Sequence, residues 1–187
     1  DGDLDLAVTN RNAENLAILR NLGDGSFQSP ENFGVANFST PLAWSVVAAD
    51  LDGDGDADLA AIGSRKFGEP DALDNLVFIW RNDGGLQFTA TGAYANAPAA
   101  MHNIEAVDFD GDGEAEVIYN DEKFFRILSG AKGDVLLEID NRSHTRLEMP
   151  IVADVDSDGN AEIVFIENGD DSDEIQIWGS ESNNWVA

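Results

Sequence analysis

The sequence predicts an all-β protein made of tandem β-propeller-type blades, four units forming a partial propeller. Three observations point there. The apolar runs are short, rich in β-branched and aromatic residues, and bounded by Gly, Asn and Asp. No segment holds a 3.6-residue apolar period over three turns. One block, an acidic loop followed by apolar runs, recurs along the 187-residue chain.

The block is most complete at Asp50, "DLDGDGDADLAAI". It returns at Asp108 as "DFDGDGEAEVIY" and at Asp154 as "DVDSDGNAEIVF". The shared pattern is D-x-D-x-D-G-x-A-[DE]. The N-terminal "DGDLDLAV" matches its back half, with Asp1, Gly2 and Asp5 aligned on Asp54, Gly55 and Asp58. Each copy continues into a first run: "LDLAV", "DLAAIG", "EVIY" and "EIVFI". A second run follows: "NLAILRN" from Asn15, "NLVFIWRN" from Asn75, "KFFRILSG" from Lys123 and "EIQIWGS" from Glu174. In the first three copies a turn leads to a third run: "GDGSFQ", "NDGGLQFTA" and "GAKGDVLLEI". Strands joined by such turns make small antiparallel sheets of three or four strands, and sheets of that size in tandem are propeller blades. One repeat array over residues 1–187 is expected, with units near 1–45, 46–103, 104–149 and 150–187, the end units being those expected to be incomplete. The chain starts inside a copy of the motif without an initiator Met, and is read as a segment of a longer protein.

Composition narrows the partners. With 37 acidic and 10 basic residues the formal net charge is -27, while 43% hydrophobic residues allow a sizeable core. Such a surface repels phosphates and anionic lipid and attracts cations, so neither nucleic acid binding nor membrane insertion is expected. No apolar run approaches the ~20 residues needed to span a bilayer. There are no cysteines, which excludes disulfides and thiolate metal sites.

The acidic loops carry the chemistry. Carboxylates at positions 1, 3 and 5 of a curling loop can converge on one centre, and glycine at position 6 permits the turn. Position 9 adds a last carboxylate: Asp58, Glu116 or Glu162. Position 7 varies, Asp56, Glu114 or Asn160, as expected if it offers only its backbone carbonyl. An all-oxygen donor set with no nearby Cys or His suits calcium better than zinc, copper or magnesium. The EF-hand also opens D-x-D-x-D-G, but it needs Glu at position 12 and flanking helices. Here position 12 is Ala61, Tyr119 or Phe165, and the flanks read as strands. A single Asp-Gly cluster could be only a turn former. Three copies with carboxylates matched at four positions argue for metal.

The D-x-D-x-D-G-x-x-D loop, the strand after it and "ILRNLGDGSFQSPENFGVANF" together resemble the FG-GAP or VCBS repeat, the calcium-binding blade of integrin α-subunit propellers and of many secreted bacterial proteins. The later copies look like a variant found in large extracellular bacterial proteins and in propeller polysaccharide lyases. The resemblance implies three complete calcium sites. Asp50, Asp52, Asp54 and Asp58 with the Asp56 carbonyl form one; Asp108, Asp110, Asp112 and Glu116 with the Glu114 carbonyl the next; Asp154, Asp156, Asp158 and Glu162 with the Asn160 carbonyl the last. A further site, truncated at the N-terminus, keeps Asp1, Asp5 and the Asp3 carbonyl. Family propellers usually close with seven blades, so further blades or further copies of the protein are expected beside these four units.

A loop of this kind filled by millimolar calcium implies a secreted or cell-surface protein. The expected role is non-catalytic: a calcium-stabilised extracellular module for adhesion, scaffolding or surface-fibre assembly, with extracellular protein or polysaccharide as partner. The alternative is the propeller part of a secreted polysaccharide-active, lyase-like enzyme. Its candidate residues are His102, His144, Arg142, Arg146 and Lys123, a set that could bind an acidic sugar and remove a proton beside its carboxylate. The favoured reading is that they are polar loop residues without a catalytic role. Trp44, Trp80, Trp178 and Trp185 are expected in core or inter-blade packing.

Overall fold

The structure, a computed structural model, describes residues 2–10, 13, 15–34, 42–64, 75–97, 103–121, 123–140, 150–157, 161–168, 173–181 and 184–186. Among these residues there is no helix, and so none long and apolar enough to cross a membrane. The strands form four antiparallel sheets in which spatial order follows chain order. The first sheet holds β1 (Leu6–Asn10), β2 (Asn15–Leu19) and β3 (Glu31–Gly34). The second holds β4 (Leu42–Ala49), β5 (Asp58–Ser64), β6 (Asn75–Asn82) and β7 (Phe88–Ala97). The third holds β8 (Ile104–Val107), β9 (Glu116–Asn120), β10 (Phe124–Ser129) and β11 (Val135–Asp140). The fourth holds β12 (Ile151–Ala153), β13 (Glu162–Asn168), β14 (Asp173–Glu181) and β15 (Asn184–Val186).

Central strands read as unbroken apolar runs because both of their faces are covered. Successive side chains on a strand point to opposite faces. In β5, Leu59 and Ala61 join Leu16 and Ile18 of the first sheet, together with Phe78 and Trp80 of β6. Ala60 and Ile62, with Val77 and Ile79, pack against Ile104, Val117, Tyr119 and Leu128 of the third sheet. In the third sheet Ile118, Phe125 and Ile127 turn the other way and meet Ile163 of β13. Each interior sheet is thus a two-sided layer, which is how blades stack. Trp80, 2% exposed, lies in the core between the first two sheets. The other three tryptophan side chains fall outside the described residues.

Three features differ from the sequence expectation. A strand precedes each complete acidic loop: β4, β8 and β12. The boundary expected near residue 46 falls inside β4, whose run "LAWSVVAA" abuts the acidic loop without a turn signal. In the first copy the third strand is "ENFG", not "GDGSFQ". The earlier segment forms a tight turn instead, with the Leu22 N–H donating to the Ser26 carbonyl and one bridge from Asn21 to Phe27. The fourth copy also has its own last strand, β15.

The third sheet carries a buried cation. Arg126 on β10 donates from Nε to Glu138 of β11 at 2.7 Å and from Nη1 to the Tyr119 hydroxyl of β9 at 2.8 Å. Its guanidinium also lies over the Phe124 ring, 4.5 Å from the centroid. One side chain therefore joins three strands. Burial pushes the Tyr119 hydroxyl up to about 12, so it remains a neutral hydrogen-bond partner.

Candidate metal-binding loops

Each complete acidic loop joins the first strand of its sheet to the second. The loops at Asp50 and Asp108 share one internal frame. Asp50 accepts the Gly53 and Gly55 N–H groups at 2.8 and 2.9 Å. Asp108 accepts those of Gly111 and Gly113 at 2.8 and 3.1 Å. The carboxylate at position 1 therefore folds the loop around itself. That path needs positive φ at positions 4 and 6, +75° and +92° at Gly53 and Gly55. In the last loop position 4 is Ser157, which takes φ +65° without being glycine.

Position 9 closes the loop. Asp58, Glu116 and Glu162 are buried, at 1%, 4% and 8% exposure. Each accepts the N–H of position 2: Leu51 at 2.9 Å, Phe109 at 3.0 Å and Val155 at 2.8 Å. Asp58 uses its second oxygen for the Asn82 N–H at 2.7 Å. Asp5 takes the corresponding Asn21 N–H at 2.7 Å. Asn82 and Asn21, at the ends of the second runs, were not singled out from sequence. The shared "RN" of "ILRN" and "IWRN" was the signal for them.

Three carboxylates converge in each complete loop. Donor oxygens of Asp50, Asp52 and Asp58 lie within 4.8 Å of one another, as do those of Asp108, Asp110 and Glu116, and of Asp154, Asp156 and Glu162. These are positions 1, 3 and 9. Position 5 is placed otherwise: Asp54 and Asp112 stand outside these groups and accept the N–H of Asp56 and Glu114, at 2.9 and 2.8 Å. The position 7 side chains of Asp56 and Glu114 also stand outside the groups. Asp158, Asn160 and Asp1 lie outside the described residues, as do His102, Arg142, His144 and Arg146. Asp3 comes against Gly23, where a Cβ would lie 2.8 Å from its carboxylate. Lys123 is exposed in the β9–β10 turn.

The electrostatics of these loops favour a cation. Burial, reinforced by the charges of Asp110, Asp112 and Asp108, pushes Glu116 up to about 7 against the lowering effect of the Phe109 N–H. Burial likewise raises Asp58, with Asp52 and Asp54 adding to the shift and the Asn82 and Leu51 N–H groups opposing it. Asp52 Oδ1 is buried without a hydrogen-bond partner. A buried carboxylate oxygen facing two more carboxylates is costly unless a positive charge meets it. The all-oxygen donor set fits a hard divalent ion, and in the second loop Asp50, Asp52 and Asp58 would hold it.

Residues 1–61 match the family model described as the FG-GAP-like repeat. That stretch is similar to the FG-GAP-like repeat. It contains the truncated loop at Asp1 and the complete loop at Asp50, and the loops at Asp108 and Asp154 repeat its motif further along. A search of the curated proteins finds no match to the chain. Among solved structures, the chain is similar to the exotype rhamnogalacturonan lyase YesX, with a TM-score of 0.58 at 12% identity over 92% of this chain and 39% of that one. Bacillus licheniformis rhamnogalacturonan lyase PL11 gives a TM-score of 0.52 at 16% identity over 92% of this chain and 41% of that one. The Photorhabdus luminescens Tc holotoxin pore gives 0.50 at 16% identity over 97% of this chain and 9% of that one. At such identities the likeness establishes the fold, a β-propeller-like stack of sheets. The chain spans about two fifths of the length of the two lyases.

Proposed function

We propose that the protein is a non-catalytic, calcium-stabilised extracellular repeat module that serves adhesion, scaffolding or surface-fibre assembly. The observation that carries this reading is the threefold convergence of carboxylates at positions 1, 3 and 9, with the position 9 group buried each time. Bound calcium would supply the positive charge that lets these oxygens stay ionised and close together. The chain's own part is to hold them: position 1 shapes the loop through two N–H groups, and position 9 ties the loop back to the start of the next strand. Extracellular calcium fills sites even at dissociation constants near ~10⁻⁴–10⁻³ M, which supports a location outside the cell. The FG-GAP-like match over residues 1–61 supports the same reading.

Removing calcium should lower the thermal midpoint, and calcium should restore it better than magnesium. Binding to the native state alone adds about 2.7 kcal/mol per site at a hundredfold excess over Kd. A melting curve that chelator leaves unchanged rejects the reading.

The likeness to two rhamnogalacturonan lyases supports a second reading, the propeller part of a polysaccharide-active enzyme. An absorbance assay for unsaturated product from rhamnogalacturonan decides between the two. No turnover is expected, and calcium-dependent turnover would favour the lyase.

A further inference from the structure

The second and third loops are bonded to each other. The Asp50 carbonyl, at position 1 of the second loop, accepts the N–H of Ala115, at position 8 of the third, at 2.8 Å. Around this bond the two loops are in close contact. A Cβ on Gly53 would lie 3.2 Å from Glu114 Cγ and 3.7 Å from the Gly113 carbonyl oxygen. A Cβ on Gly130 would overlap the Ala115 carbonyl oxygen and reach Leu51 at 3.0 Å. Leu51 is the residue whose N–H is held by Asp58. The backbone path at residues 113–116 therefore sets where Asp50 and Leu51 sit, and with them the carboxylates of the second loop.

The two loops also differ in what faces them. Arg81 Nη1 stands 3.5 Å from Asp52 Oδ2, so a guanidinium already engages a carboxylate of the second cluster. Arg81 directly follows Trp80, which pairs with Leu59. In the third sheet Leu128 pairs with Val117, and the residue that follows is uncharged Ser129, opposite Glu116. A cation entering the second loop must displace or share Arg81. No residue of that charge occupies the same register position at the third.

We infer that the third loop takes calcium first, and that its loading raises the affinity of the second through the Asp50–Ala115 bond. This rests on the calcium reading above. Gathering Asp108, Asp110 and Glu116 around one charge orders the backbone that holds Asp50. The second loop then has less freedom left to lose when it binds. By linkage the second loop returns the same factor to the third.

The test is a calcium titration of the 187-residue chain followed by amide NMR. The Gly53 and Gly55 N–H groups, bonded to Asp50, report the second loop; those of Gly111 and Gly113, bonded to Asp108, report the third. The third-loop glycines should respond at lower calcium. Asp110→Asn, which keeps the size of the side chain, should raise the second-loop midpoint by about fivefold or more, the lower end of ordinary coupling between sites. Arg81→Ala should lower the second-loop midpoint by about two- to fivefold, the scale of an exposed ion pair, and move the third loop less. Second-loop glycines responding first would overturn the order, and a second-loop midpoint unmoved by Asp110→Asn would overturn the coupling. If none of the four amides responds to calcium, the calcium reading itself fails and this inference with it.

Discussion

At the residue scale, position 9 does two jobs and position 7 neither. Asp58 is a member of the carboxylate cluster and the acceptor for two buried backbone N–H groups, those of Leu51 and Asn82. Asp58→Ala should therefore destabilise the protein even without metal. Two donors would lose their partner, at about 1–3 kcal/mol for each buried group left unsatisfied. Asp56→Ala removes one negative charge from the same loop, but its side chain is exposed. Its effect should stay within about 0.5 kcal/mol. Urea unfolding of the two variants in metal-free buffer separates them. Equal losses would mean that charge relief, not hydrogen bonding, governs the loop. The types and spacing of these residues were legible in the sequence. That position 9 is buried and also anchors position 2 was not, because burial is supplied by the neighbouring strands.

At the scale of the element, each loop is held by strands on both sides of it. The sequence showed the strand after each loop but not the one before. β12 has only three residues and β8 only four, too short for an alternating pattern to stand out. Where strands meet, small residues become obligatory. Gly130, just past the end of β10, lies against the Ala115 carbonyl and Leu51. Gly130→Ala should cost about 2 kcal/mol, because the obstacle is backbone that cannot rotate away. The expected readout is a lower urea midpoint together with a shift of the Ala115 amide resonance. A Gly130→Ala variant as stable as the parent, with that amide unmoved, would show that the two sheets are not pressed together there.

At the scale of the whole molecule, charge dominates. A formal charge of -27 is spread over a stack whose loops bury carboxylates. In the metal-free protein Glu116 is raised to about 7, and Asp58 and Asp121 are raised as well, in each case chiefly by burial. Between the ordinary carboxylate range and pH 7 the native state then binds more protons than the unfolded chain, so stability falls as pH rises through that window. The metal-free protein should melt at a higher temperature at about pH 5 than at about pH 8. With saturating calcium the order should reverse, since protons compete with the ion for the same oxygens. Thermal melts of dialysed protein at the two pH values, with and without calcium, check both signs. A metal-free midpoint that rises with pH would contradict the buried-carboxylate account.

What the sequence by itself determined is local chemistry. Four carboxylates and a turn-forming glycine within nine residues specify an oxygen-lined loop wherever the chain is placed, and short apolar runs bounded by turn residues specify strands. The repeat of that block established that sheets stack. Tertiary structure decided which alternate side chains of β5, β6, β9 and β10 face which neighbour, since a run that is apolar at every position carries no record of its two faces. It also decided that Asp50 meets Ala115 and that Arg81 meets Asp52. Those partners lie 65 and 29 residues apart in the chain, beyond the reach of any local pattern, and only the packing of one sheet on the next, or the pairing of strands within one, brings them together.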